Sequence, residues 1–484
     1  MQVRNGLIYL IPMVFSIVVP LVTLPVFTRF LTPTDYGVLA LLQIYAQIVI
    51  GIANFGLTTG YERNFFEGRD DVSRSGLLFT TLAFVASSSF AFIFLTFVFR
   101  DPLSRAIVGS TEYGNLLLWS LISICLLRLN NYYLIYFKNS ENARAWSICT
   151  ITSTVLAATL SLFFVVGADL GLIGLIWGPL FAHGTMFVIL SVHFSIRLPL
   201  LLDANSLRRS LRISLPLTPK ILFGAISNQF DKYMIRLLNT VGEVGIYSIG
   251  QKISYIVFTL MTVVQNIYSP QVYKRMFELG EKGGRSVGEY LTPFLYVSVA
   301  FSLGISLFAE EVMFVLAPAS YQGAVDIIAI LAIVYSSYFF AKQPQLIYAK
   351  RTGINALLLL LSIGLNVAFN IPFIIRWGAI GAAWATLIAA VLSGTISFIV
   401  SQHYYRIEWE YKRIAMIYGV LILSTFSVML SGAYEVVYWL RLLLKLVGLS
   451  AYLWIGVQIR VLTKGNLLMI LEKLGFSKIV EGRL

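Results

Sequence analysis

Apolar runs long enough to cross a bilayer recur along almost the whole 484-residue chain. A hydrocarbon core about 30 Å thick takes roughly 20 apolar residues per helical crossing. In lipid, helices and closed barrels are the structures that satisfy every backbone polar group. Fourteen runs qualify: 7–27, 36–55, 77–99, 116–137, 145–166, 172–194, 213–238, 246–268, 291–308, 327–347, 354–375, 379–400, 414–430 and 437–457. The segments between them are too short for a folded soluble domain, so any chemistry sits inside the membrane part or at its edges. Charged residues make up 12% of the chain and mean hydropathy is +0.81, against about 25% charged in a soluble protein. The expected fold class is an all-α polytopic membrane protein.

The net charge of +13 raises nucleic acid as a partner, but the bases are not gathered on one soluble face. With the N-terminus assigned to the cytoplasm, 25 of the 36 Lys and Arg fall in cytoplasmic segments, among them Arg63, Arg69, Arg74, Arg208, Arg209 and Arg212. Six fall outside (Arg29, Arg100, Arg105, Arg236, Arg376 and Arg441) and five inside spans. This asymmetry is the positive-inside pattern; it places both termini in the cytoplasm and predicts no nucleic-acid binding. Cys125 and Cys149 both lie in spans, so no disulfide framework is expected. The first run is longer than a signal-peptide core and is read as a retained helix.

An internal repeat organises the chain. Thr32, Asp35, Gly37 and Val38 are matched by Thr240, Glu243, Gly245 and Ile246 at an offset of 208, and Gly171, Gly174 and Trp177 by Gly378, Gly381 and Trp384 at 207. Two matches at nearly one offset indicate a duplication. Six spans separate the copies, so the halves run parallel about an axis along the membrane normal, a transporter pattern with the cargo site between halves. The expected division is an N-lobe over 1–200 (spans 1–6), a C-lobe over 201–405 (spans 7–12), spans 13 and 14 over 406–460, and a cytoplasmic tail over 461–484. A channel or scaffold with duplicated halves stands as the other reading. Pro12, Pro20 and Pro25 in span 1, and Pro216 and Pro219 opening span 7, mark kink or hinge positions, although prolines are also common in membrane helices.

Arg128, Lys220, Lys232, Lys252 and Lys445 fall inside spans, with Lys342 close by, whereas Asp231 is the one acid at comparable depth. A basic residue at a helix centre costs about 2.5–3.5 kcal/mol on insertion scales and normally faces a bundle interior or a wet cavity. The excess of bases points to an anionic cargo; snorkelling of long side chains to the interface is the alternative for Lys220, Lys252 and Lys445. With Arg29 ending span 1 and Arg63 following span 2, cations from equivalent helices of both halves would line one space. Asp231 has three readings: a structural ion pair, a contact that gates the lobes, or a coupling site for a proton or sodium ion. No phosphate-cradling loop occurs, and His183, His193 and His403 are isolated, so neither an enzyme, a cofactor nor a metal is expected.

The segments Pro25 to Gly37, Asn54-Phe55-Gly56-Leu57 with Arg63, Leu215-Pro216 followed by Asp231-Lys232, Gly242 to Ser248, and Gly378 to Ala383 together resemble the Wzx-type polysaccharide flippases. These belong to the multidrug/oligosaccharidyl-lipid/polysaccharide exporter superfamily. The resemblance implies a MATE-like fold and flipping of an undecaprenyl-pyrophosphate-linked oligosaccharide for O-antigen, capsule or exopolysaccharide (lipopolysaccharide-type) synthesis, by alternating access around a cationic cavity in the bacterial inner membrane. It implies work alongside a polysaccharide polymerase and a chain-length regulator. It assigns phosphate contacts to Arg29 and Arg63, with Lys252 at a position where Arg is common, and a lipid groove to spans 13 and 14 with Arg441 and Lys445. A cation-coupled multidrug exporter of the same superfamily would favour acids in its cavity. A membrane-embedded polymerase or transferase would carry a long exterior loop with catalytic residues, whereas the longest gaps, near 195–212 and 271–290, are cytoplasmic.

Overall fold

A computed structural model describes residues 2–68, 70–227, 229–340, 343–461 and 463. The described residues are helical with no strands. In chain order the helices are α1 (Gln2–Phe30), α2 (Pro33–Ala53), α3 (Leu57–Phe65), α4 (Asp71–Val98), α5 (Arg100–Ile107), α6 (Gly114–Asn139), α7 (Ala143–Leu162), α8 (Gly171–Arg197), α9 (Ala204–Ser214), α10 (Thr218–Ser227) and α11 (Phe230–Leu238). Then come α12 (Val241–Leu279), α13 (Gly283–Leu307), α14 (Ala309–Leu316), α15 (Ala324–Ser337), α16 (Pro344–Tyr348), α17 (Thr352–Tyr404), α18 (Tyr411–Ala433) and α19 (Tyr438–Gln458). The expected tail, from 464 onward, lies outside the described residues.

Eleven runs among the described residues are long and apolar enough to cross a membrane. They accommodate the fourteen spans read from the sequence. Val241–Leu307 holds two crossings in 67 residues, and Gly353–Tyr404 holds two in 52, turning at Gly378 with φ 58° and ψ −135°. Span 7 escapes a length criterion because it is broken into α10 and α11. The protein is therefore a multi-pass, all-α membrane protein.

The chain divides into two compact units, 1–245 with 316–318, and 246–315 with 319–484. In the first, α6 packs against α2, α4 and α8, and α7 packs against α1 and α8; its core holds Leu57, Tyr61, Leu78, Leu121 and Tyr132. In the second, α13 packs against α15 and α18, and α18 against α19, around Met276, Leu295, Leu303 and Ile417. The hairpin α18–α19 is fixed to α13 by polar contacts. Tyr296 and Tyr452 stack at 4.6 Å and each donates its hydroxyl to the other's carbonyl, at 3.0 and 2.6 Å. Ser306 and Thr425 hydroxyls meet at 2.9 Å.

The repeat has a backbone cause. Gly171 and Gly378 both adopt positive φ, 52° and 58°, which a residue without Cβ tolerates. A Cβ on Gly174 would lie 2.8 Å from the Phe164 carbonyl carbon, and one on Gly381 2.0 Å from the Phe373 carbonyl oxygen. Each glycine pair thus turns one crossing tightly into the next. The other matched segments open helices: Thr32 and Asp35 form a reciprocal capping box on α2, and Thr240 Oγ1 accepts from Glu243 N at 3.3 Å. Gly37 and Gly245, both in the first unit, face each other's helix starts. A Cβ on Gly37 would fall 1.9 Å from the Val241 carbonyl oxygen, and one on Gly245 1.8 Å from that of Pro33.

Candidate functional site

Within the first unit, span 2 does not run straight into the segment that carries Arg63. Phe55 (φ 46°) and Gly56 (φ 63°) take the left-handed conformation, ending α2 and starting α3 on a new axis. The break is fastened by buried Asn54, whose Oδ1 accepts from the Tyr132 hydroxyl at 2.5 Å and whose Nδ2 donates to Thr58 Oγ1 at 3.2 Å. Arg128 stands one turn before Tyr132 on α6, so the two share a helix face. Arg128 is half-buried, and its Nε is shielded with no hydrogen-bond partner among the described residues.

Arg29 is exposed at the last turn of α1. Arg63 is also exposed and donates to Glu67 at 2.6 Å and to Asn64 Oδ1 at 2.9 Å. An exposed pair of this kind contributes about 0–1 kcal/mol, so it holds the guanidinium only loosely. The break in span 7 sets Asp231 and Lys232 in the first turn of α11, where a carboxylate favours the helix N-terminus. Asp231 is buried, and half-buried Lys232 donates to Gln229 Oε1 at 3.0 Å across the break.

In the second unit, Lys252 is exposed on α12. Arg441 and Lys445 are committed to acids. Lys445, 0% exposed, donates to Glu310 Oε2 at 3.0 Å and Glu311 Oε1 at 2.6 Å, while Arg441 pairs with Glu310 Oε1 at 3.0 Å. Tyr438 completes the group by donating to Glu311 Oε1 at 3.1 Å. Two bases and two acids make this cluster formally neutral, so the surplus of buried bases counted along the sequence shrinks here. Glu310 and Glu311 were not selected from the sequence because they follow the apolar run 291–308 and count as loop. The usable signal was the i, i+4 spacing of Arg441 and Lys445, which puts two bases on one face of α19. Lys342 lies outside the described residues, as does the side chain of Lys220.

A family model described as a polysaccharide biosynthesis protein matches residues 26–276. Among curated proteins, the probable low-salt glycan biosynthesis flippase Agl15 of Haloferax volcanii is 24% identical over 198 residues, 40% of this chain. The match spans only 41% of that relative's length. The structure is similar to the lipid II flippase MurJ in an inward closed conformation, with TM-score 0.72 and 14% identity over 94% of this chain and 99% of that one. It is also similar to an inward-facing multidrug resistance MATE family transporter of the MOP superfamily, with TM-score 0.58 and 14% identity over 82% and 97%. At these identities the structures establish the fold, which is MATE-like as the motifs implied. The matched segment runs from the end of α1 into the last turns of α12, more than half of the 484 residues, and the chain belongs to the polysaccharide biosynthesis protein family.

Proposed function

We propose that this protein is a flippase for an anionic lipid-linked oligosaccharide, in the finer reading one carried on undecaprenyl pyrophosphate and moved from the cytoplasmic to the outer leaflet of a bacterial inner membrane. The observation that carries the reading is how the bases are distributed along the chain. The family segment 26–276 contains Arg29, Arg63, Arg128, Lys220, Lys232 and Lys252, whereas Arg441 and Lys445, beyond it, are neutralised by Glu310 and Glu311. The broken span 7 adds support, since discontinuous membrane helices are typical of midplane cargo sites. In this mechanism arginines take phosphate oxygens through their planar fork and lysines supply point charge. Compensating the headgroup charge removes the principal barrier to crossing, because an unpaired charge is what the bilayer excludes. The lipid tail stays in the bilayer, the sugars occupy a hydrated cavity, and Asp231 serves the gate. A polymerase and a chain-length regulator would take up the product.

A multidrug exporter would need acids free to face a cationic cargo, and Glu310 and Glu311 are already engaged by bases. The test is glycan export in a host lacking its own copy, with Arg29→Ala, Arg63→Ala and Lys232→Ala each expressed at the normal membrane level. The reading expects export to be lost or reduced at least tenfold in each; normal export in all three refutes it.

A further inference from the structure

The segment between spans 6 and 7 forms a helix whose two faces have different owners. Asp203 caps α9 by accepting from Asn205 N at 2.9 Å and from the Ser206 hydroxyl at 2.5 Å, and its own N–H donates to Thr80 Oγ1 at 2.7 Å, tying the helix start to α4. Ser206, Ser210 and Ser214 recur every four residues and are all buried. Ser210 and Ser214 dock on α3: Asn64 Nδ2 donates to Ser210 Oγ at 2.9 Å, Gly60 N donates to Ser214 Oγ at 3.2 Å, and a Cβ on Gly60 would fall 2.5 Å from the Ser210 carbonyl oxygen.

Away from this seam the exposed residues of α9 are Ala204, Asn205, Arg208, Arg209 and Arg212. Arg209 folds back on Ser206 at 2.7 Å and Asp203 at 3.7 Å. Arg208 and Arg212 have no ion pair among the described residues. Leucines flank the basic face at both ends and are exposed: Leu200 (68%) and Leu202 (74%) before it, Leu215 (48%) and Leu217 (37%) after it. Exposed leucines at both ends of a basic helix are unfavourable in water and favourable where acyl chains begin.

We propose that α9 is an in-plane membrane-surface element whose Arg208 and Arg212 bind the phosphates of anionic phospholipids in the leaflet that the positive-inside reading assigns to the cytoplasm. Charge complementarity selects this occupant over a zwitterionic lipid. The inference is independent of the transported cargo, since it concerns the outer face of α9.

The test titrates the full-length protein in detergent with phosphatidylglycerol and with phosphatidylcholine, counting bound lipid by native mass spectrometry. Each surface base attracts anionic lipid by about five-fold in affinity, so R208Q/R212Q should bind phosphatidylglycerol roughly 30-fold more weakly. Phosphatidylcholine binding and thermal unfolding should be unchanged, because neither arginine touches the serine seam. R208K/R212K should retain most of the binding. Equal phosphatidylglycerol binding by R208Q/R212Q overturns the proposal. So does a spin label at Arg208→Cys, in a Cys149→Ser background and phosphatidylglycerol nanodiscs, that a water-soluble relaxant reaches freely; that result would make this face a docking surface for a soluble partner.

Discussion

Replacing Lys445 by Met separates a structural latch from a lipid-binding role for the C-terminal hairpin. In the folded protein Lys445 is 0% exposed and sits between Glu310 and Glu311, whose side chains are 20% and 27% exposed. Removing one partner of a buried ion pair costs about 3–5 kcal/mol, because the opposite charge is left uncompensated. Two features place this case at the lower end of that range. Both carboxylates keep some solvent, and Arg441 remains 3.0 Å from Glu310. Glu311 bears most of the loss: it keeps only the Tyr438 hydroxyl on Oε1, and its Oε2 is already buried without a partner among the described residues. Thermal unfolding of the purified protein should shift by roughly 6–12 °C, taking about 3 kcal/mol and 2–4 °C per kcal/mol. The double variant Lys445→Met/Glu311→Gln should recover most of the loss, since it removes both members of the worst mismatch. An unchanged unfolding temperature in the single variant, or no recovery in the double, refutes the latch. A change confined to bound lipid would favour the groove role.

Three further outcomes follow from the fold. Gly378→Ala should destabilise the protein by about 1–3 kcal/mol, because a Cβ is forced into a backbone region that glycine alone occupies readily; unfolding in denaturant measures it, and a neutral result contradicts the turn inside α17. Gly37→Ala and Gly245→Ala should cost similar amounts, about 1–3 kcal/mol each, since each new methyl meets a carbonyl oxygen of the other's helix start; a large effect at one and none at the other would deny the reciprocal contact. Asp203→Ala should weaken α9 by about 1 kcal/mol, seen as faster hydrogen exchange of its first-turn amides. The Ser206 hydroxyl, with the Asn205 and Ser206 N–H groups and Arg209, holds the Asp203 carboxyl below its ordinary value. Its folded pKa is thus depressed, so the cap is in place at neutral pH and fades as pH falls below the usual carboxylate range. After correction for intrinsic rates, wild type should approach the variant in acid, and a pH-independent difference would exclude the carboxylate as the cap.

Hydropathy located the crossings because the lipid requirement acts on every residue of a span at once. It missed the break between α10 and α11 because Asn228, Gln229 and Asp231 are too few to lower a window's average, although together they were the visible sign. The glycine repeat was legible for the reason the structure supplies: Gly174 and Gly381 sit where a Cβ would strike a carbonyl group of the preceding helix end. The latch was illegible because Glu310 and Glu311 lie 130 or more residues from the bases they neutralise. The α9 surface lay inside the gap read near 195–212, where a serine every fourth residue encodes a docking seam that hydropathy does not register.

The central claim is an anionic, lipid-linked glycan as cargo. Mass spectrometry of the lipid that copurifies with the protein from its native membrane tests it most directly. The account predicts a polyprenyl-phosphate or polyprenyl-pyrophosphate oligosaccharide, retained by the wild type and depleted in Arg29→Ala and Lys232→Ala. Equal retention of such a lipid by all three proteins, or recovery of a cationic amphiphile in its place, would contradict it.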